Sequence, residues 1–224
     1  MAGRRLILFA KEPAEGRVKT RLARDMGSST AVRLYEAFLQ DLAGALVSPP
    51  DWEAVVATAE DEPGPGLLAR FAGRWTFEPQ GEGSLGDRMA RCLARAERQG
   101  AASAVVAGSD APTLAASDVR AAFEALEAAD VVFAPAPDGG YSLVGVRSGV
   151  DCERVFRGVR WSTAEALEDT KRGAESAGYQ TLLLASVPDV DEVNDLLELG
   201  RRLRCAPRLA PATRELLERI GLPA

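Results

Sequence analysis

Four cations, Lys11, Arg17, Lys19 and Arg21, follow an apolar run from Leu6 to Ala10 and surround a turn built on Pro13 and Gly16. A strand that empties into a cationic, glycine-containing loop ahead of a helix is suited to phosphate. Backbone N–H groups and the helix N-terminus face the anion, and fixed cations neutralise it. The chain has three lysines, Lys11, Lys19 and Lys171, among 27 basic residues, and two of them lie here. Lysine is a point charge that can follow a phosphate, whereas arginine forks onto it. The stretch is neither GxGxxG nor GxxxxGKS. Solvated surface cations are therefore the competing reading.

The acids give the second half of the chemistry. Asp110 stands at the mouth of a short β-branched run, Ser103 to Gly108, and is fixed by Pro112. A carboxylate at the end of a buried strand is costly without a partner. Mg²⁺ or Mn²⁺ would supply one, using one or two carboxylates, phosphate oxygens and water. The alternative is a helix N-cap, but the next helical pattern begins nearer Ser117. Asp189 and Asp191 lie at another strand end; one of them is expected to cap the following helix and the other to face the site. Asp138-Gly139-Gly140-Tyr141 reads first as a tight turn. Its other reading is backbone and an aromatic ring set against an acceptor.

Histidine is absent. This removes Ser-His-Asp and Cys-His mechanisms, histidine-ligated zinc and histidine bases. A metal with Lys and Arg around phosphate remains, the equipment of phosphoryl or nucleotidyl transfer, where positioning and charge stabilisation do most of the catalysis. The net charge of -6 argues against a nucleic-acid partner. Cys92, Cys152 and Cys205 are widely spaced, odd in number and form no metal-ligand cluster, which suits a reducing compartment. No apolar run approaches the ~20 residues of a membrane span, and no signal peptide is legible. A cytoplasmic location is the expectation.

These residues need elements to hold them. Ser28, Ser29 and Thr30 offer N-caps to an amphipathic helix through Ala31, Leu34, Phe38, Leu42 and Ala45, which Pro49 and Pro50 end. Ala54–Ala59 and Trp75–Phe77 read as strands, with a short helix through Leu67, Leu68 and Phe71 between them. The flexible Gln80–Gly86 stretch precedes a helix through Met89, Leu93 and Ala96, with Ser84 as candidate cap. Ser103–Gly108 and Val131–Ala134 read as buried parallel strands, and a helix through Val119, Phe123 and Leu126 separates them. Tyr141–Val146 reads as a hairpin arm. Ser162 and Glu165 are spaced as a capping box. Thr181–Val187 is a further strand, followed by helices through Val193–Leu203 and Leu216–Ile220. The alternation predicts an α/β fold with a mostly parallel sheet and an antiparallel excursion at 138–146. Such sheets bind ligands beyond the C-terminal ends of their strands. The cationic loop, Asp110, Asp138 and Asp189/Asp191 are expected on that one rim.

Five ordered stretches, LILFAKEPAEGRVKTRLA, GSDAPTL, DVVFAPAPDGGYSLVGV, VFRGVRWST and PDVDEVNDL, resemble the radical-SAM/selenodomain-associated transferase 1 family. The KTRL stretch is also similar to that of 2-phospholactate guanylyltransferase, and the strand-end Asp-x-Pro to that of the molybdenum cofactor guanylyltransferase. The resemblance implies a GT-A, or nucleotide-diphospho-sugar transferase, fold: a Rossmann-like sandwich over residues 1–204, with residues 205–224 as a helical tail on the same domain. It implies that Lys11, Gly16, Arg17, Lys19, Arg21 and Ser109 hold the nucleotide and that Asp110, with Asp191, holds Mg²⁺ or Mn²⁺. Asp138, Gly139, Gly140 and Tyr141 would line the acceptor side, backed by Trp161 and Thr163. The family reads GSDCPDL, so Ala111 and Thr113 replace its Cys and second Asp.

The expectation is a divalent-metal-dependent transferase that uses a nucleoside triphosphate, with Lys19 stabilising phosphate charge and Asp110 positioning the metal. Glycosyl transfer from a nucleotide-sugar is the alternative. A non-catalytic nucleotide-binding module and a nucleotide-free structural domain are the others. The tail after Arg204 is open to two roles, a lid or the contact of a homodimer.

Overall fold

The computed structural model describes residues 3–47 and 51–222. The chain starts with β1 (Gly3–Ala10), α1 (Thr20–Met26), α2 (Ser28–Ala45), β2 (Glu53–Thr58) and α3 (Pro65–Phe71). It continues through β3 (Thr76–Pro79), α4 (Leu85–Arg98), β4 (Ala101–Gly108), α5 (Ala116–Ala125) and β5 (Val131–Pro135). After β6 (Tyr141–Arg147) come α6 (Cys152–Val155), α7 (Ala166–Ser176), β7 (Thr181–Leu183), α8 (Val193–Cys205) and α9 (Pro211–Arg219).

The strands form one sheet in the order β3-β2-β1-β4-β6-β5-β7. β1 lies parallel to β2 and β4, β2 to β3, and β5 to β7. Among the described strands β6 alone runs antiparallel, against β4 and β5. This is the mostly parallel sheet with an antiparallel excursion that the alternation of elements predicts. Because β6 is reversed, its first residue, Tyr141, meets the C-terminal ends of the other strands.

Central strands are apolar on both faces because helices cover both. In β1, Leu6 and Leu8 pack into the layer of α2, α5, α8 and α9, while Ile7 packs with Met89, Leu93 and Val155 on the other side. In α2, Ala31, Leu34, Phe38 and Leu42 are buried, as their spacing requires. At the far end of the chain α9 docks on α2: the Asp41 carboxylate accepts from the Thr213 N–H at 2.9 Å and the Thr213 hydroxyl at 2.6 Å.

Several local readings are corrected. The Lys11–Arg21 loop is shorter than expected, because Thr20 and Arg21 already belong to α1. α2 starts at Ser28 behind Gly27 and has no side-chain cap, so Ser28, Ser29 and Thr30 do not serve as one. Pro49 and Pro50 lie outside the described residues. Ser162 and Glu165 form no capping box: Ser162 is left-handed at φ 61°, and α7 begins only at Ala166. β7 is shorter than Thr181–Val187: the regular strand ends at Leu183, although the Leu184 and Val187 N–H groups still donate to the Phe133 and Pro135 carbonyls of β5. The Ser84 cap does form. Its hydroxyl accepts the Asp87 N–H, and the Asp87 carboxylate accepts the Ser84 N–H at 2.8 Å.

Candidate active site

Lys11 follows β1, Gln80 follows β3, Ser109 and Asp110 follow β4, and Tyr141 begins β6. All reach the same rim, and they line one cleft of about 690 Å³ together with Arg17, Lys19, Arg21, Arg88 and Asp191.

Lys19 is its centre. It is the N-cap of α1 in the left-handed region, at φ 46°. Such a conformation is strained for a residue with a Cβ and persists where surrounding contacts over-determine it. The side chain is 3% exposed. Its ammonium donates to the Val190 carbonyl at 2.7 Å, to Asp191 Oδ1 at 3.0 Å and to the Asp110 carboxylate. An ammonium has three donors, and here each has an acceptor. Burial by itself would lower this amine's pKa. Asp110 and Asp191 outweigh it and hold the value above the ordinary one.

The acids differ in duty. Asp110 caps no helix, since α5 begins at Ala116 and its first turn is capped by the Asp118 carboxylate, which accepts the Ala115 N–H at 2.9 Å. Neither Asp189 nor Asp191 caps α8; Asp195 accepts the N–H groups of Asp191 and Glu192. That leaves Asp191 for Lys19. Asp189 is pushed up to about 6 by burial and then by the neighbouring charges of Asp138 and Asp191.

Tyr35 of α2, which stands in no motif, joins two walls of the cleft. Its hydroxyl accepts the Lys11 N–H at 3.0 Å and pairs with the Ser109 hydroxyl at 2.9 Å. Burial and the nearby Asp110 push its pKa far above the ordinary value. Gln80 and Arg88 were not singled out either; neither stands in a recognisable motif. Arg17 is held by Glu60 at 2.8 Å. Lys11 is exposed, with no ion-pair partner among the described residues.

Other expected residues stand back from the cleft. Gly16, at φ 73°, shapes the turn in which the Arg17 N–H donates to the Ala14 carbonyl. The Asp138 carboxylate accepts the Gly140 N–H at 2.8 Å, so this stretch is a turn first. Gly139 is needed there, at φ 88°, because a Cβ would lie 2.1 Å from the Ala164 carbonyl oxygen. Trp161 packs edge-on against Tyr141, with centroids 6.4 Å apart, and so backs the wall. The Thr163 hydroxyl donates to the Arg160 carbonyl at 2.7 Å. A smaller recess of about 310 Å³ shares Arg21 and Asp191 with the cleft and is lined by Thr113, Asp138, Asp189 and Arg202.

The donor set accommodates a divalent ion of one kind. Asp110 and Asp191 are 48% and 42% exposed and already converge on one cation. Among the described residues, no group of three or more His, Cys, Asp or Glu side chains is placed to hold a metal alone. This suits a Mg²⁺ ion completed by substrate phosphate and does not suit a closed structural site.

The chain is similar to known proteins. A 3-phospho-D-glycerate guanylyltransferase from Phenylobacterium zucineum is 31% identical over 207 residues, which cover 90% of this chain and 92% of that one. A 2-phospho-L-lactate guanylyltransferase from Methanopyrus kandleri is 41% identical over 100 residues, so the chain spans half the length of that relative. A Desulfovibrio desulfuricans protein assigned as a nucleotide-diphospho-sugar transferase superposes with a TM-score of 0.89 at 30% identity, covering 98% of this chain and 95% of that one. The family model described as an uncharacterized protein conserved in bacteria, DUF2064, matches residues 42–163. With a nucleotide-diphospho-sugar transferase-like fold and guanylyltransferase relatives, the chain belongs to the DUF2064 family and is an enzyme of the nucleotidyltransferase class.

Proposed function

We propose that the chain transfers a guanylyl group from GTP to a small phosphate-bearing acceptor. The observation that supports this most directly is the convergence of Lys19, Asp110 and Asp191 inside a cleft at the strand ends, with Lys11, Arg17 and Arg21 on its cationic side. An acceptor phosphate oxygen forms a bond to the α-phosphorus, the α–β bridging bond breaks, and pyrophosphate leaves. GTP and the acceptor class are taken from the names of the guanylyltransferase relatives.

A divalent ion would be held by Asp110 and Asp191 and would supply charge to the triphosphate. The residues of the chain do the rest. Lys19 keeps the two carboxylates side by side and adds its charge to the phosphate end of the cleft. Lys11, Arg17 and Arg21 draw the phosphates in. Tyr35 holds the β1 and β4 exits at fixed separation, so that nucleotide and catalytic acids stay in register. The recess beside the cleft is lined by six carboxylates, Asp138, Asp189, Asp191, Glu192, Asp195 and Glu198, against Arg21 and Arg202, so the anionic acceptor belongs instead on the cationic side of the cleft with Lys11, Arg17 and Arg21. Thr113 lines that recess, where the resembled family's Asp would add one more negative charge. The narrower kinship to the radical-SAM/selenodomain-associated transferase 1 family rests on the five sequence stretches.

The test is product analysis with GTP, Mg²⁺ and either 3-phospho-D-glycerate or 2-phospho-L-lactate. Pyrophosphate release with a guanylylated acceptor supports the proposal. The Desulfovibrio desulfuricans likeness favours a second reading, glycosyl transfer; release of a nucleoside diphosphate from a nucleotide-sugar would decide for it. Nucleotide binding that ignores Mg²⁺ and yields no product would mean a non-catalytic module.

A further inference from the structure

The cleft has two ends of different chemistry. Asp110 and Ser109 leave β4, on one side of β1; Gln80 leaves β3, two strands away on the other side. Carboxylates and the Lys19 ammonium occupy the first end. The second holds a neutral amide, an arginine and exposed apolar surface.

Gln80 is 4% exposed and its amide is oriented. Nε2 donates to the Ala57 carbonyl at 2.8 Å and reaches the Ala10 carbonyl at 3.5 Å, two groups that can only accept. The reverse orientation would set oxygen against oxygen. The backbone is pinned as well: the Gln80 N–H donates to the Thr58 carbonyl at 2.8 Å, and Arg91 donates to the Gln80 carbonyl at 2.7 Å. The side-chain oxygen receives no hydrogen bond from the described residues, yet it is not among the fully enclosed polar atoms lacking a partner, so solvent reaches it. Gln80 is among the residues that line the cleft.

Arg88 complements it. Its Nε donates to the Gly83 carbonyl at 3.0 Å, which holds the guanidinium in the same cleft, and its two terminal nitrogens have no partner among the described residues. Leu85, 45% exposed, stands three residues before Arg88, and Phe9 of the central β1 lines the cleft too; both offer apolar faces to a flat ring.

We infer that Gln80 and Arg88 read the nucleobase and select guanine, an assignment that rests on the cleft being the nucleotide site proposed above. Guanine carries ring N1–H and N2–H₂ donors beside the O6 and N7 acceptors. The fixed Gln80 oxygen accepts from the donor edge, and the Arg88 fork donates to O6 and N7, the pairing by which arginine reads guanine elsewhere. Adenine puts a lone pair where guanine has N1–H, against the Gln80 oxygen. A site built around a buried acceptor rejects the ligand that leaves that acceptor unpaired. The triphosphate then runs past Lys11 toward Lys19 and Asp110.

The test is calorimetric titration with Mg²⁺ and, in turn, GTP, ATP, 1-methyl-GTP and inorganic tripolyphosphate. The wild-type protein is expected to bind GTP at least about tenfold more tightly than ATP or 1-methyl-GTP, whose methyl group occupies the N1–H position. Gln80→Met and Arg88→Met should each bring GTP down toward ATP while tripolyphosphate binds as before. Equal affinity for GTP and 1-methyl-GTP, which requires no variant, overturns the assignment. So does an unchanged GTP-to-ATP ratio in both variants. If GTP and ATP bind and are not distinguished, the base assignment fails and the nucleotide site stands; if no nucleotide binds, both fail.

Discussion

Lys19 and Asp191 meet at 3.0 Å, and the same ammonium pairs with Asp110. One buried side chain at the start of α1 thus joins the exit of β4 to the segment entering α8. Its left-handed backbone aims the amine into the rim and places the strain at the group around which the cleft is built. The pairing also resolves a charge problem. Asp110, Asp138, Asp189 and Asp191 share a small region, and Lys19 is the enclosed cation among them.

Asp110→Asn should fold normally, since Asp110 caps no helix and is half exposed. It should lose Mg²⁺-dependent nucleotide binding, because an amide cannot supply the anionic ligand. Titration of Mg²⁺ with GTP present reads this directly, and an affinity equal to wild type would remove Asp110 from the metal site.

Lys19→Met leaves Asp110 and Asp191 facing each other without their cation. Removing one member of a fully buried pair costs about 3–5 kcal/mol, but these carboxylates stay nearly half exposed and water screens them, so a loss of about 1–2 kcal/mol is expected in urea unfolding. GTP affinity should fall more than GMP affinity. Equal losses would show that Lys19 organises the acids without serving the triphosphate.

Asp189 sets a pH dependence. Its folded value of about 6 lies above the ordinary range of an aspartate, so the native state holds its proton more tightly than the unfolded chain. This contribution is complete below about pH 4 and is lost as pH rises through 6. Asp189→Asn should therefore be more stable than wild type at pH 7.5, by about 1 kcal/mol after allowance for solvent screening, and no more stable at pH 4. Unfolding midpoints for the pair across this range are the measurement; a constant difference would mean that Asp189 does not titrate in this window.

Tyr35→Phe removes the oxygen that accepts the Lys11 N–H and pairs with Ser109. A loss of about 1–2 kcal/mol is expected from the unpaired buried groups, with weaker GTP binding at unchanged metal affinity. A variant that loses stability but binds GTP as wild type does would make Tyr35 purely structural.

Much of the fold was legible because strands and helices are written in local periodicity. β1, β4 and β5 read as continuous apolar runs since both faces of each are covered, and the 138–146 turn marked where the sheet reverses. The Ser84–Asp87 box was readable for the same reason: both partners lie within one helical turn. The cation loop and Asp110 were legible as chemistry because a charged residue at the end of an apolar run stands out against its neighbours.

Local pattern failed wherever the deciding partner was distant in the chain. Ser28 and Ser162 had the right type for caps, but Gly27 and the left-handed turn at Ser162 took the backbone elsewhere. One of Asp189 and Asp191 was expected to cap the following helix, but Asp195 fills that role and Lys19 claims the Asp191 carboxylate. Tyr35 stands in no motif, and Gln80 begins the stretch that reads as flexible. Their meaning comes from the strand order β3-β2-β1-β4, which brings the ends of separate βα units to one rim. By itself the sequence determined which elements form and which residues carry charge at their ends. Only the tertiary structure decided which of those charges meet, because a pairing between ends depends on how the strands are shuffled into the sheet, and no stretch of neighbouring residues encodes that order.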